Sequence, residues 1–350
     1  MLIPCLAAIL VSQSTSFSAQ TGPQNQDRDV YPGETHLSNL HQLTFSGQNA
    51  EAYWNKRGTE LTYQTHQPDW PDEQIVRMRV DGTHKELVST GLGRCTCSYF
   101  TPDNKWIYFS STHAVNTGAQ PKLDMSKGYV WMINPQYSMY RRPTKGGELQ
   151  TVLNKPGYIA ETTIAPSGKY MAFTTNWDGN IDIYRSNLDG GDLEPLVTQE
   201  GYNGGPFISW DSKKIVYRRS DFASQKDIDD FHELLKQNLV RPLKMEIWIM
   251  DADGSNKRQI THLDCASFAP FMHPDGKRII FCSNYGDPRG AQFGLFMINT
   301  DGTHLERVTQ KADFDGFPMF TADGKKLAFV STRYAANPHD TNIFVADWKD

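Results

Sequence analysis

The chain has 350 residues, a formal net charge of −5 and 12% aromatic residues. Acids and bases are interspersed and no basic stripe occurs, so composition points away from nucleic acid as a partner. The length suits one repeat-built unit behind a short N-terminal signal.

In chain order, Leu6–Val11 is a short apolar core followed by small residues up to Ser18 and Ala19. Residues 1–19 therefore read as an export signal, too short to span a membrane, with periplasmic or secreted localisation as the consequence. Residues 20–35 are polar and rich in Pro and Gly, and are expected to form a flexible leader. Residues 36–350 then carry a recurring segment. Its copies are Tyr53–Tyr63, Tyr99–Phe109, Thr163–Phe173, Phe207–Tyr217, Phe271–Phe281 and Met319–Phe329. Each has an apolar run, a Pro-Asp-Gly-Lys-like turn and an alternating run, which is a hairpin signature. The turn markers Gly58, Asn104, Gly168, Ser212, Gly276 and Gly324 lie 46, 64, 44, 64 and 48 residues apart.

A third strand follows each hairpin, as in Glu246–Met250. A second Asp-Gly or Gly-Gly turn and a fourth strand complete the unit. That period and strand count predict an all-β, six-bladed β-propeller with four-stranded antiparallel blades. The segment Gln42–Phe45 reads as a fourth strand that precedes any first strand, while the last copy stops after its third. The N-terminal strand should therefore close the ring and remove exposed sheet edges.

Two spacings exceed the blade period, through insertions at 112–136 in the second blade and 221–242 in the fourth. Propeller geometry puts both on one face, with the fourth-to-first loops, and long loops on a rigid scaffold usually carry function. In the second insertion Ser224 and Asp227 resemble a capping box. Ile228, Phe231, Leu234, Leu235 and Leu239 follow helical spacing, and Pro242 ends it. That helix reads either as rim packing or as a cover for the channel mouth. His232-Glu233 lacks the second His of a zinc helix.

First strands line a propeller channel. Seven residues before each marker stand Glu51, Cys97, Glu161, Gly205, Ala269 and Phe317; nine before stand Asn49, Cys95, Ile159, Asn203, Ser267 and Asp315. Glu51, Glu161 and Asp315 could hold a divalent cation or act as an acid/base pair, or could simply be solvated channel groups. No other cofactor is expected. Cys95 and Cys97, two apart, should share a strand face; pairings among Cys95, Cys97, Cys265 and Cys282 are open.

The candidate ligand-binding residues of the inner strands and loop face, in chain order, are Glu51, Tyr53, Trp54, His66, Trp70, Arg94, Tyr99, His113, Glu161, Trp177, Asp178, Asn203, Tyr285, Asp287, Arg289, Asp315, Arg333 and His339. Aromatic planes beside carboxylates and Arg suit sugars or peptides, although Asp and Gly in such loops also serve turns. No nucleophile elbow, phosphate loop or His-Glu-x-x-His occurs, and no catalytic residue is assigned.

His273–Lys277 followed by turns such as Ala252–Ser255 resembles the WD40-like (PD40) repeat of TolB-type propellers, over about residues 37–347. Asn49–Trp54, Cys97–Phe100, Leu239–Pro242, Ser283–Asp287 and Asp313–Met319 are similar to exported six-bladed members. The resemblance implies a non-enzymatic, monomeric binding propeller that recognises an envelope protein, peptide or glycan. The alternative expectation is a carbohydrate-active lyase or hydrolase using the channel carboxylates, since oligogalacturonate lyase shares the architecture.

Overall fold

The computed structural model describes residues 25–350 except Met125, Lys127, Asp221 and Pro288. The export signal, residues 1–19, lies outside the described residues. Six antiparallel sheets form a ring of blades, and each runs from an innermost strand on the axis outward. The innermost strands are Gln48–Trp54, Cys95–Phe100, Ile159–Ile164, Asn203–Ile208, Ser267–Met272 and Asp315–Phe320.

The repeat is explained by its turn. Gly58, Asn104, Gly168, Ser212, Gly276 and Gly324 all sit in the left-handed region, φ +59 to +71. Glycine enters it without penalty and Asn at modest cost. In three copies a hydroxyl donates to the turn aspartate, Thr101 to Asp103 at 2.7 Å, Ser209 to Asp211 at 2.6 Å and Thr321 to Asp323 at 2.7 Å. The same carboxylates accept the amide of the following lysine. The recurring Asp is thus a turn former rather than a site residue.

Apolar side chains of the alternating strands pack between neighbouring blades; Phe109, Phe173, Phe281, Phe329 and Phe344 have no accessible surface. Each such burial contributes about 2 kcal/mol or more. The ring closes through the N-terminal chain as expected, but the strand is Leu37–Gln42 rather than Gln42–Phe45: it pairs antiparallel with Asn342–Trp348 as the fourth strand of the last blade. Residues 26–35 depart from the flexible leader expected of them. Gln26–Arg28 adds a fifth strand outside Leu37–Gln42, and Glu34 is buried. The reason is charge, because Glu34 accepts both terminal nitrogens of Arg333, at 2.9 and 3.1 Å, on a sealed blade.

The insertion helix is Gln225–Leu235, capped by Ser224, whose side chain accepts the Asp227 amide. It is shorter than the apolar spacing suggested. Leu239 belongs instead to a two-residue strand, Leu239–Val240, which pairs with Trp131–Met132 of the other insertion. The two insertions are therefore joined to each other.

A capped cavity on the propeller axis

Each innermost strand carries a β-bulge at the same place. The residue at each bulge is left-handed: Glu51, Cys97, Glu161, Gly205, Ala269 and Phe317, φ +48 to +59. Only one of the six is glycine, so the strain, of the order of 1 kcal/mol or more each, is held by the surrounding sheet. The bulge turns these six side-chain positions onto the axis, where all of them line one cavity of about 580 Å³.

The bulge also breaks the alternation that placed the residues two positions earlier on the same wall. Asn49 and Asn203 are buried struts between blades, donating to Thr341 O at 2.7 Å and to Ile181 O at 2.9 Å. Asp315 is buried against Arg333 at 3.2 Å. Cys95 contacts Ser111 Oγ at 3.3 Å, away from Cys97. Cys95, Cys97, Cys265 and Cys282 are all free thiols.

Below the bulges, Tyr53 and Phe207 of opposite blades meet with ring centroids 5.2 Å apart and close the axis. Tyr99 and Phe271 pack against this pair. Above, the joined insertions form a roof. Trp131 meets Tyr202 and Phe268 edge-on, at 6.1 and 5.6 Å, and lies over the Arg218 guanidinium at 5.5 Å. Tyr129, Tyr137 and Tyr158 complete an aromatic wall.

The charged groups of the cavity fall into pairs with one exception. Arg94 donates to Glu73 at 2.8 Å. Arg218 is bound to Glu161 and to the Tyr202 hydroxyl. Glu161 also accepts from Thr174 Oγ1 at 2.6 Å and from the Gly205 amide at 2.8 Å. Burial alone would raise its pKa, but the Arg218 charge and these hydrogen bonds outweigh it and hold the carboxyl below the ordinary value. Two glycines make room for this cluster. A Cβ on Gly205 would lie 2.2 Å from Arg218 Nη1, and one on Gly204 2.7 Å from Glu161 Oε2. Glu51 is the exception. Its Oε2 is buried without a hydrogen-bond partner among the described residues. Burial pushes its pKa up to about 7; a hydrogen bond with Cys97 opposes the rise and the Glu161 charge adds to it.

Of the candidates from sequence, Glu51, Tyr53, Arg94 and Glu161 meet in this cavity. The others stand elsewhere. Trp54 is core, its indole donating to Met319 O at 3.0 Å, and Tyr99 lies beneath the cavity. Trp70 packs on the core. His113 meets Tyr140 at a tilt, with centroids 4.5 Å apart, and Trp177 carries Lys155 over its ring at 4.0 Å. Asp178 accepts the Tyr184 hydroxyl, and Asp287 caps the amides of Ala291 and Gln292. Arg333 is sealed in the last blade, while His66, Tyr285, Arg289 and His339 are exposed. Sequence reasoning missed Trp131, Tyr137, Tyr158, Tyr202 and Arg218 as cavity residues. The consecutive Gly204 and Gly205 in an inner strand were the available signal, since glycine there marks close approach of another group. Among the described residues no group of three or more His, Cys, Asp or Glu is placed to hold a metal ion. No helix among them is long and apolar enough to cross a membrane.

Ring, bulges and roof define a six-bladed β-propeller with a closed axis and a capped axial cavity. No family model matches the chain. An uncharacterized protein of Agrobacterium fabrum is 26% identical over 201 residues, 55% of this chain and 61% of that one. A TolB homolog of Chlorobium luteolum is 27% identical over 180 residues, 51% of this chain and 34% of its own length. The matches thus span between about a third and three fifths of these relatives. A solved TolB-assigned structure from Agrobacterium tumefaciens superposes with TM-score 0.57 at 20% identity, covering 87% of this chain and 91% of its own. Oligogalacturonate lyase from Vibrio parahaemolyticus shares the fold at TM-score 0.52 and 12% identity, over 92% and 96% of the two chains. The chain thus has the six-bladed β-propeller fold and is similar in part of its sequence to TolB homologs.

Proposed function

We propose that this protein is an exported, non-enzymatic binding propeller that receives a segment of an envelope protein, peptide or glycan in the capped cavity. The observation that carries the reading is the cavity itself. Its volume of about 580 Å³ falls in the usual range for ligand sites, and its walls combine aromatic rings with charged and polar groups in similar number. The paired insertions supply one wall, so loops that vary most freely shape the site. Similarity to TolB homologs supports a binding role and a periplasmic setting. The lyase or hydrolase alternative gains less support. Of the acids it would use, Glu161 and Asp315 are each engaged by an arginine, which leaves Glu51.

Calorimetric titration of the purified protein with envelope-derived peptides and oligosaccharides tests this, alongside the Trp131→Ala variant. The expected result is saturable binding by one class, weakened about tenfold or more by loss of the roof indole, the scale of one buried aromatic contact. Binding that ignores Trp131 would move the site elsewhere.

A further inference from the structure

The charge inventory of the cavity suggests which ligand chemistry it takes. Glu161 has Arg218, and Arg94 has Glu73. Glu51 has no ion-pair partner: it meets the Cys97 thiol, the Arg218 charge acts on it only as a minor influence, and one oxygen has no hydrogen-bond partner among the described residues. A buried polar atom left unsatisfied calls for a group that completes it. Tyr53, Tyr158, Tyr202, Trp131 and Phe317 line the same cavity. Rings of this kind attract cations through their quadrupoles, most strongly where water is excluded. An uncompensated acid inside such a cage is complementary to an organic cation.

We propose that the cavity binds an alkylammonium group presented by a peptide, a lysine side chain or a chain N-terminus, with Glu51 as its counter-ion. This rests on the binding-propeller reading and names its ligand. A slender alkylammonium suits the aromatic side of the site, and several of the polar lining groups are already engaged. Thr96 already donates to Gln64, Thr163 to Pro206 O, and Asn134 to Gln120. Thr162 Oγ1 and Arg218 Nε have no partner among the described residues, so an amino sugar is the competing source of the ammonium and is included as a probe.

The charged and titratable groups facing Glu51 are Tyr53 on its own strand, Cys97, Glu161 and Arg218 on other blades, and Glu73 from the first blade. Arg218 is already paired with Glu161, and a bound ammonium adds a positive charge paired with Glu51 that favours its carboxylate. Binding is therefore coupled to loss of the Glu51 proton. With Glu51 near pH 7, the ionised fraction, and with it the affinity, rises about tenfold from pH 6 to pH 8.

The test is calorimetric titration of the protein with three probes: acetyl-Gly-Lys-Gly-amide, the same peptide acetylated on Nζ, and glucosamine. We expect the lysine peptide to bind about tenfold more tightly at pH 8 than at pH 6, and the acetylated peptide to lose at least about tenfold at pH 8. Glu51→Gln should abolish both differences. Titration of the wild type at pH 7 in two buffers of unlike ionisation enthalpy should show roughly half a proton released per ligand, a readout that needs no variant. Equal affinity for lysine and acetyl-lysine, or no proton release, overturns the inference. Tighter binding of glucosamine than of the lysine peptide overturns the peptide as its source. If neutral peptides or glycans bind with dependence on Trp131 while the lysine preference is absent, the ammonium inference fails and the binding propeller stands. If no probe and no envelope ligand binds, both fall.

Discussion

Two arginine–carboxylate clusters, one built on Arg218 of a second strand and the other on Arg333 just past one, serve different ends. In the last blade Arg333 joins Glu34 and Asp315, and all three side chains are within 1% of complete burial. Tyr31 and Phe329 cover the guanidinium at 4.9 and 5.0 Å. This triad ties N-terminal chain to the closing blade. In the fourth blade Arg218 joins Glu161 and Tyr202, but the cluster forms one wall of the axial cavity beside an acid without a cation. The difference teaches that a buried ion pair is not itself a sign of function. What distinguishes the second cluster is space next to it and an unsatisfied group across that space.

Breaking the clasp should have the largest effect. Arg333→Ala leaves two buried carboxyls uncompensated and should cost about 3–5 kcal/mol in urea unfolding, the scale for one lost partner of a buried pair. Arg218→Ala should cost less, about 2–3 kcal/mol, because water in the cavity can reach Glu161, and it should also change ligand binding. If the two variants unfold at the same urea concentration, the cavity gives no relief and the contrast is lost.

Gly205→Ala sharpens the comparison at one atom. The equivalent position in the fifth blade is Ala269, at φ +48, so the backbone there tolerates alanine. The expected loss of about 1–3 kcal/mol combines left-handed strain, of the order of 1 kcal/mol, with overpacking against Arg218. It should shrink when Gly205→Ala is combined with Arg218→Met, as a double-mutant cycle by thermal unfolding would reveal.

A smaller effect is one of pH. Burial raises the Glu51 pKa to about 7 in the folded protein, above the value of about 4.3 for an exposed glutamate. Folded protein therefore holds this proton more tightly than the unfolded chain. The stability it contributes is complete below about pH 4.3 and is lost as pH rises through 7. Wild-type melting temperature should fall more between pH 5 and pH 8 than that of Glu51→Gln. Parallel curves would show that Glu51 is ordinary in the folded state. Smallest of all, Trp131→Ala should change stability by about 1 kcal/mol or less, since the roof lies outside the blade cores, while binding drops.

Much of the architecture was legible in the repeat. The hairpin at Gly276, the Asp-Gly turns and the early fourth strand specify blades, their number and the closure. Each is a local pattern whose physics, positive-φ turns and alternating burial, acts over a few residues. The loop face and its two insertions follow from connectivity alone. The site was legible only in part, because the inner-strand bulge overrides alternation. It turns Glu51 and Glu161 onto the axis while sending Asn203 and Asp315 between blades.

Sequence by itself determined the ring, its turns and its closure, and placed the six axial positions among twelve candidates. Tertiary structure alone decided that Arg333 is a clasp and Arg218 a wall, that Trp131 meets Val240 in a shared strand pair, and that Glu51 lacks a cation. Those outcomes depend on which distant blades bring groups within 3–6 Å of one another, and on water being excluded where they meet. Local spacing carries no information about either.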